Sequence, residues 1–145
     1  MNGPTLERTV HIAAPPEVVW EFWTVAERMC EWWGADAELD PTPGGTMRVT
    51  LGGGGVMAGR YVELDPPRRL VFRFGWEATA GAPVVPPEST TVEVVFGADG
   101  DGTVLTLRHF GLPAGDAEAQ HRSGWTHFLG ELAGAARRDP PEAAS

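Results

Sequence analysis

Few residues in this chain could do chemistry, and their spacing decides what that chemistry would be. The 145 residues include four histidines, one cysteine, and twenty acidic side chains against eleven cationic ones. All eleven cations are Arg. His109 closes the alternating run Leu105-x-Leu107-x-His109, which places it on the buried side of a strand. His121 opens an apolar stripe at three- and four-residue steps, the inward face of a helix. The two would meet at one end of the space between that strand and that helix. There they could act as a general base or proton shuttle, or sit hydrogen-bonded in the core. Two imidazoles without a third ligand do not make a metal site, and His121 and His127, six apart, lie on different helix faces. No metal is expected.

The other reactive types point nowhere in particular. Glu17, Glu21, Glu27 and Glu31 read as solvated helix faces, Glu93 as the partner of Arg73 on the outer side of a sheet, and Glu77 as the carboxylate nearest a cavity rim. Cys30 reads as a small half-buried hydrophobe. Ser123-Gly124-Trp125 lacks the glycine pattern of a nucleophile elbow. Without lysine there is no Schiff base and no P-loop, and Gly44-Gly45 and Gly52 to Gly55 read as turns. No catalytic set is evident and no cofactor is expected.

The aromatic residues carry more information. Trp32, Trp33, Phe72, Phe74, Trp76, Trp125 and Phe128 all fall toward the predicted space between sheet and helix, with Met47 and Met57 able to join them. Such a set is either a packed core or the lining of an apolar ligand cavity.

These residues need elements to hold them. Leu6 to Ile12 reads as an opening strand. Pro15-Pro16 starts a helix with Val19, Phe22 and Trp23 on one face. Thr24-x-x-Glu27 has the form of a capping box and predicts a second short helix from Val25 to about Trp33, closed by Gly34. Five strands follow, around Met47–Leu51, Val56–Leu64, Leu70–Trp76, Val92–Phe96 and Leu105–His109. Turns fall at Gly52–Gly55, Asp65-Pro66-Pro67 and Gly97–Gly102. Asp116 to Arg138 is a long amphipathic helix carrying Ala117, His121, Gly124, Trp125, Phe128, Leu132 and Ala135 on its inner stripe.

Composition bounds the rest. Hydrophobic residues at 42% and charged ones at 21% predict one globular domain, residues 1–138, with a loose tail at 139–145. A net charge of −9 with scattered Arg offers no basic stripe, so neither nucleic acid nor an anionic membrane is an expected partner. No apolar run approaches the roughly 20 residues of a membrane span, and no secretory signal opens the chain, so a cytoplasmic location is expected.

Four stretches, in order, resemble one family. They are Ile12-Ala13-Ala14-Pro15-Pro16-Glu17-Val18-Val19-Trp20; Glu31-Trp32-Trp33-Gly34 followed by Pro43-Gly44-Gly45; Gly59-x-x-Val62-Glu63-Leu64-Asp65-Pro66-Pro67-Arg68-Arg69-Leu70-Val71-Phe72; and Gly102-Thr103-x-Leu105-Thr106-Leu107 with His109, Gly111-Leu112-Pro113 and His121-x-Ser123-Gly124-Trp125. The chain resembles the START-like, or SRPBCC, superfamily, and within it the homologues of the activator of the heat-shock-protein-90 ATPase. The resemblance implies an α+β helix-grip fold, with a curved antiparallel sheet wrapped around the long C-terminal helix and a cavity between them. It does not fix a reaction. Three readings follow, in this order: a module binding a small hydrophobic or aromatic ligand, lipid-like or polyketide-like; a protein-interaction or co-chaperone-like domain; and a cyclase, aromatase or dehydratase using His109 or His121. The chain could be a monomer or a homodimer.

Overall fold

A computed structural model describes residues 5–77 and 85–138. The order of elements is β1 (Leu6–Ile12), α1 (Pro16–Thr24), α2 (Ala26–Met29), β2 (Asp36–Leu39), β3 (Thr46–Thr50), β4 (Val56–Asp65), β5 (Arg69–Phe74), β6 (Thr90–Asp99), β7 (Gly102–Phe110) and α3 (Asp116–Arg137). The tail at 139–145 lies outside the described residues.

All strands join one antiparallel sheet in the order β1-β7-β6-β5-β4-β3-β2. From β2 to β7 the strands form a meander, each pairing with the next in sequence. β1 pairs with β7, so α1 and α2 carry the chain from one sheet edge to the other. The sheet curves around α3 in a helix-grip arrangement. Period-2 alternation sorts its faces: Thr103, Leu105, Leu107 and His109 of β7, and Thr90, Val92, Val94 and Phe96 of β6, are buried while the residues between them are not. The buried face meets Trp125, Leu129, Leu132 and Ala135 of α3 and Val19, Phe22 and Trp23 of α1 in one apolar cluster.

The helices depart from the sequence reading in one respect. Thr24 does not cap α2; its hydroxyl donates back to the Trp20 carbonyl at 3.1 Å, as the last residue of α1. Val25 occupies the cap position of α2 with no side-chain hydrogen bond. α2 is accordingly a single turn, and residues 30–33 continue as turns held by Trp32 and Trp33 amides on the Met29 carbonyl. The C-terminal carbonyls of α1, which have no partner within the helix, are satisfied from outside. Trp32 Nε1 donates to the Phe22 carbonyl and the Tyr61 hydroxyl to the Trp23 carbonyl, each at 2.8 Å. Burial, and secondarily the charge of Asp40, raises the Tyr61 pKa, so this phenol stays a donor.

The sheet also departs from it. Six strands follow the short helices, not five, because Asp36–Leu39 pairs with β3 as an edge strand. On the outer face, Glu93 lies opposite Val71 and Arg73 opposite Thr91. Arg73 therefore donates to the Glu88 carbonyl and the Thr91 hydroxyl, and Glu93 receives Arg69 at 2.8 Å and Arg108 at 3.3 Å. Partial burial raises the Glu93 pKa, but the two guanidinium hydrogen bonds outweigh it and the net shift is downward. No helix among the described residues is long and apolar enough to cross a membrane.

Candidate functional site: an aromatic cleft between the long helix and the sheet

The site starts from strand register. Phe74 and Thr90 are cross-strand partners on β5 and β6, and His109 lies opposite Val92, two residues along from Thr90. The Phe74 and His109 rings meet Trp125 and His121, one turn apart on α3, and Thr90 is buried beside them. Trp125 Nε1 can only donate, and it donates to His109 Nδ1 at 3.0 Å. His109 must therefore carry its proton on Nε2, which donates to Thr90 Oγ1 at 2.8 Å. Thr90 passes the chain on to the Phe74 carbonyl, also at 2.8 Å. Burial, with a smaller contribution from neighbouring His121, pushes the His109 pKa down to about 3, so this imidazole is neutral.

His121 repeats the motif with the opposite tautomer. Its Nε2 accepts from Trp76 Nε1 at 2.9 Å, and its Nδ1–H donates to the Ala117 carbonyl at 2.7 Å. The two imidazole rings are edge to face, 5.9 Å apart. Each has an indole donor on one nitrogen and an oxygen acceptor on the other. Neither therefore has a nitrogen free to take a proton from a substrate while these bonds persist. The arrangement orders aromatic rings around the two imidazoles.

Those rings enclose a cleft of about 200 Å3, lined by Trp33, Phe74, Trp76, Gln120, His121, Gly124, Trp125 and Phe128. Trp33 and Phe74 stack with planes 7° apart, and Trp33 meets Trp125 at 5.3 Å. Of the residues singled out in the sequence, Trp33, Phe74, Trp76, His121, Trp125 and Phe128 line the cleft. Trp32, Met47, Met57, Phe72 and His109 do not; they are buried in the core behind it. Gly124 is on the inner stripe read from the sequence but is not among the expected lining residues, and Gln120, one residue before the stripe position His121, is not singled out at all. Glu77 does not line the cleft; it pairs with Arg48 through two hydrogen bonds of 2.8 and 3.1 Å, which hold its pKa below the usual carboxylate range. Cys30 is exposed rather than half-buried, at the end of the single turn of α2. Desolvation first, then the charges of Asp36 and Glu27, raises its thiol pKa and disfavours the thiolate. Among the described residues, no group of three His, Cys, Asp or Glu is placed to hold a metal ion.

A curved antiparallel sheet gripping one long C-terminal helix is the helix-grip fold of the START-like class. The family model described as "Activator of Hsp90 ATPase homolog 1-like protein" matches residues 13–137, and the chain belongs to that family. An AHSA1-like protein of Rhizobium etli is 40% identical, with 93% of this chain and 83% of that one covered at a TM-score of 0.71. A protein from the dynemicin biosynthetic locus is 27% identical at a TM-score of 0.77. That match covers 94% of this chain and 48% of the other, so the chain spans about half of its length. An Hsp90 activator from Plasmodium falciparum is 26% identical, with 88% and 91% of the two chains covered and a TM-score of 0.70. No curated protein matches the chain.

Proposed function

We propose that the chain binds a small aromatic compound in the cleft between α3 and the end of the sheet. Gly124 carries this reading. It lies mid-helix, where glycine costs about 1 kcal/mol relative to alanine, and it lines the cleft. A Cβ there would meet no neighbouring atom within 4 Å. Packing does not require the glycine, and unlike Gly130, which is equally open but away from the cleft, Gly124 leaves free the space a guest would fill. The walls are rings that a flat apolar guest can stack against, and Gln120 at the mouth supplies polar contact. The volume sets the size. A cavity of roughly 150 Å3 accepts benzene, and drug-sized sites begin near roughly 300 Å3. The cleft of about 200 Å3 suits one or two fused rings.

The test is titration with one- and two-ring aromatics, followed by Trp fluorescence, in wild type and Gly124→Leu. Wild type is expected to saturate. The variant is expected to keep its fold and lose at least about tenfold in affinity, as its side chain occupies the guest's place. Undiminished binding by the folded variant would sink the proposal.

A second reading is a co-chaperone-like contact with Hsp90, supported by the family description and by the Plasmodium falciparum activator. Under it, wild type and Gly124→Leu would stimulate the ATPase of Hsp90 equally, because a surface contact does not depend on the cleft.

A further inference from the structure

Among the buried polar side-chain atoms of the described residues, one has no hydrogen-bond partner: Trp23 Nε1. Trp23 is fully buried. Interiors rarely leave an N–H donor unpaired, and such a group marks either a cost carried for another purpose or a missing partner. Trp23 is held in place from behind, since its carbonyl accepts from Tyr61. Its ring packs against Trp33 at 6.3 Å and Trp125 at 6.4 Å. Both of those rings line the cleft. One layer of aromatic rings therefore separates the cleft from the Trp23 ring that carries the unpaired donor.

The two rings of that layer are not equally fixed. Trp125 is tied by its bond to His109, and moving it would strand the His109 Nδ1 acceptor. Trp32 and Trp76 are also tied, to the Phe22 carbonyl and to His121. Trp33 makes no side-chain hydrogen bond among the described residues and is held by ring contacts alone, with Phe74 at 6.4 Å and Trp32 at 5.3 Å. It is the ring of that layer whose displacement would break no side-chain hydrogen bond, although it also packs against Trp23, Phe72 and Trp125.

Resting on the cleft reading above, we infer that the cleft is the outer half of a longer site whose inner end is the Trp23 indole N–H. The ligand is an aromatic compound with an oxygen acceptor, such as an aryl ketone, which takes the place of the Trp33 ring and accepts a hydrogen bond from Trp23 Nε1. A hydrocarbon of the same shape fills the same space and leaves the donor unpaired, so the site discriminates between the two. The competing account is an N–H···π contact with Trp32, whose ring lies 4.7 Å from that of Trp23, tilted by 57°.

A matched pair of probes tests this: 2-acetylnaphthalene and 2-isopropylnaphthalene, titrated into the 15N-Trp-labelled protein. Trp→Phe variants assign the six indole N–H signals. The ketone is expected to bind about tenfold more tightly and to move the Trp23 signal downfield, while the hydrocarbon leaves it in place. Trp23→Phe, which keeps the ring bulk, is expected to abolish the preference. If that variant does not fold, the signal in wild type decides. A ketone that perturbs Trp76 and Trp125 but not Trp23, or equal affinity for both probes, overturns this inference and leaves the cleft reading standing. If neither probe perturbs any cleft tryptophan, both fall together.

Discussion

At the scale of single residues, His109 couples the fold to pH. Its pKa in the fold is about 3, against about 6.5 for an unfolded chain. As pH falls between those values, the unfolded state takes up a proton that the native state refuses. The stability contributed by neutral His109 is complete above the unfolded pKa and is lost toward the folded one, at about 1.4 kcal/mol per pH unit. Denaturant melts at pH 7, 6 and 5 are expected to show this decline, and His109→Gln, though weaker at pH 7, is expected to lack it. Identical acid slopes in the two proteins would refute the assignment. The inward placement of His109 is legible from alternation alone. Its partners are not: Thr90 and Trp125 are 19 and 16 residues away in sequence, and it takes the β6–β7 register to bring the first and the docking of α3 on the sheet to bring the second. Glu93 teaches the same lesson. Alternation puts it on one face with Arg73, but the β5–β6 register sets it across from Val71, within reach of Arg69 and Arg108.

At the scale of elements, α1 depends on neighbours for its ending. Its last carbonyls are capped by a phenol from β4 and an indole from the turns after α2. Tyr61→Phe removes one donor, keeps the ring, and leaves the Trp23 carbonyl buried without it. A loss of about 1–3 kcal/mol in unfolding free energy is expected, with far-UV circular dichroism unchanged. A loss below experimental error would show that another group takes over. This long-range capping also explains why the helical boundary was misread. Thr24 and Glu27 have the spacing of a capping box, but the hydroxyl is already engaged by the turn before it. β2 escaped notice for a different reason. An edge strand packs less of its surface, so Asp36–Leu39 has no fully buried residue to impose an alternating apolar signal. Strands and helices with a buried face were legible, and those held by their edges or ends were not.

At the scale of the molecule, one apolar cluster joins β1, α1, the meander and α3. Nothing in that cluster divides it into parts that could melt separately. Thermal unfolding is expected to be a single transition in which far-UV circular dichroism, reporting the sheet, and Trp fluorescence, reporting the core, have the same midpoint. Midpoints several degrees apart would mean that α3 leaves the sheet before the sheet unfolds. The overall architecture was legible because its largest parts follow strong periodicities, 2 in the strands and 3.6 in α3. How far the aromatic residues fill their own cavity was not legible, since it depends on ring orientation. The rings leave a cleft of about 200 Å3.

The glycine at position 124 places the means of divergence away from the means of folding. The hydrogen-bond ladders lie in the sheet and the deepest apolar contacts lie under α3. The cleft's capacity, by contrast, can be reduced at one side-chain position on a helix, where an added Cβ meets no neighbouring atom within 4 Å. Under the proposed function, single substitutions there would change what fits the cleft while the fold hardly registers them. Under that reading, two relatives with superimposable backbones would differ in the guest each admits.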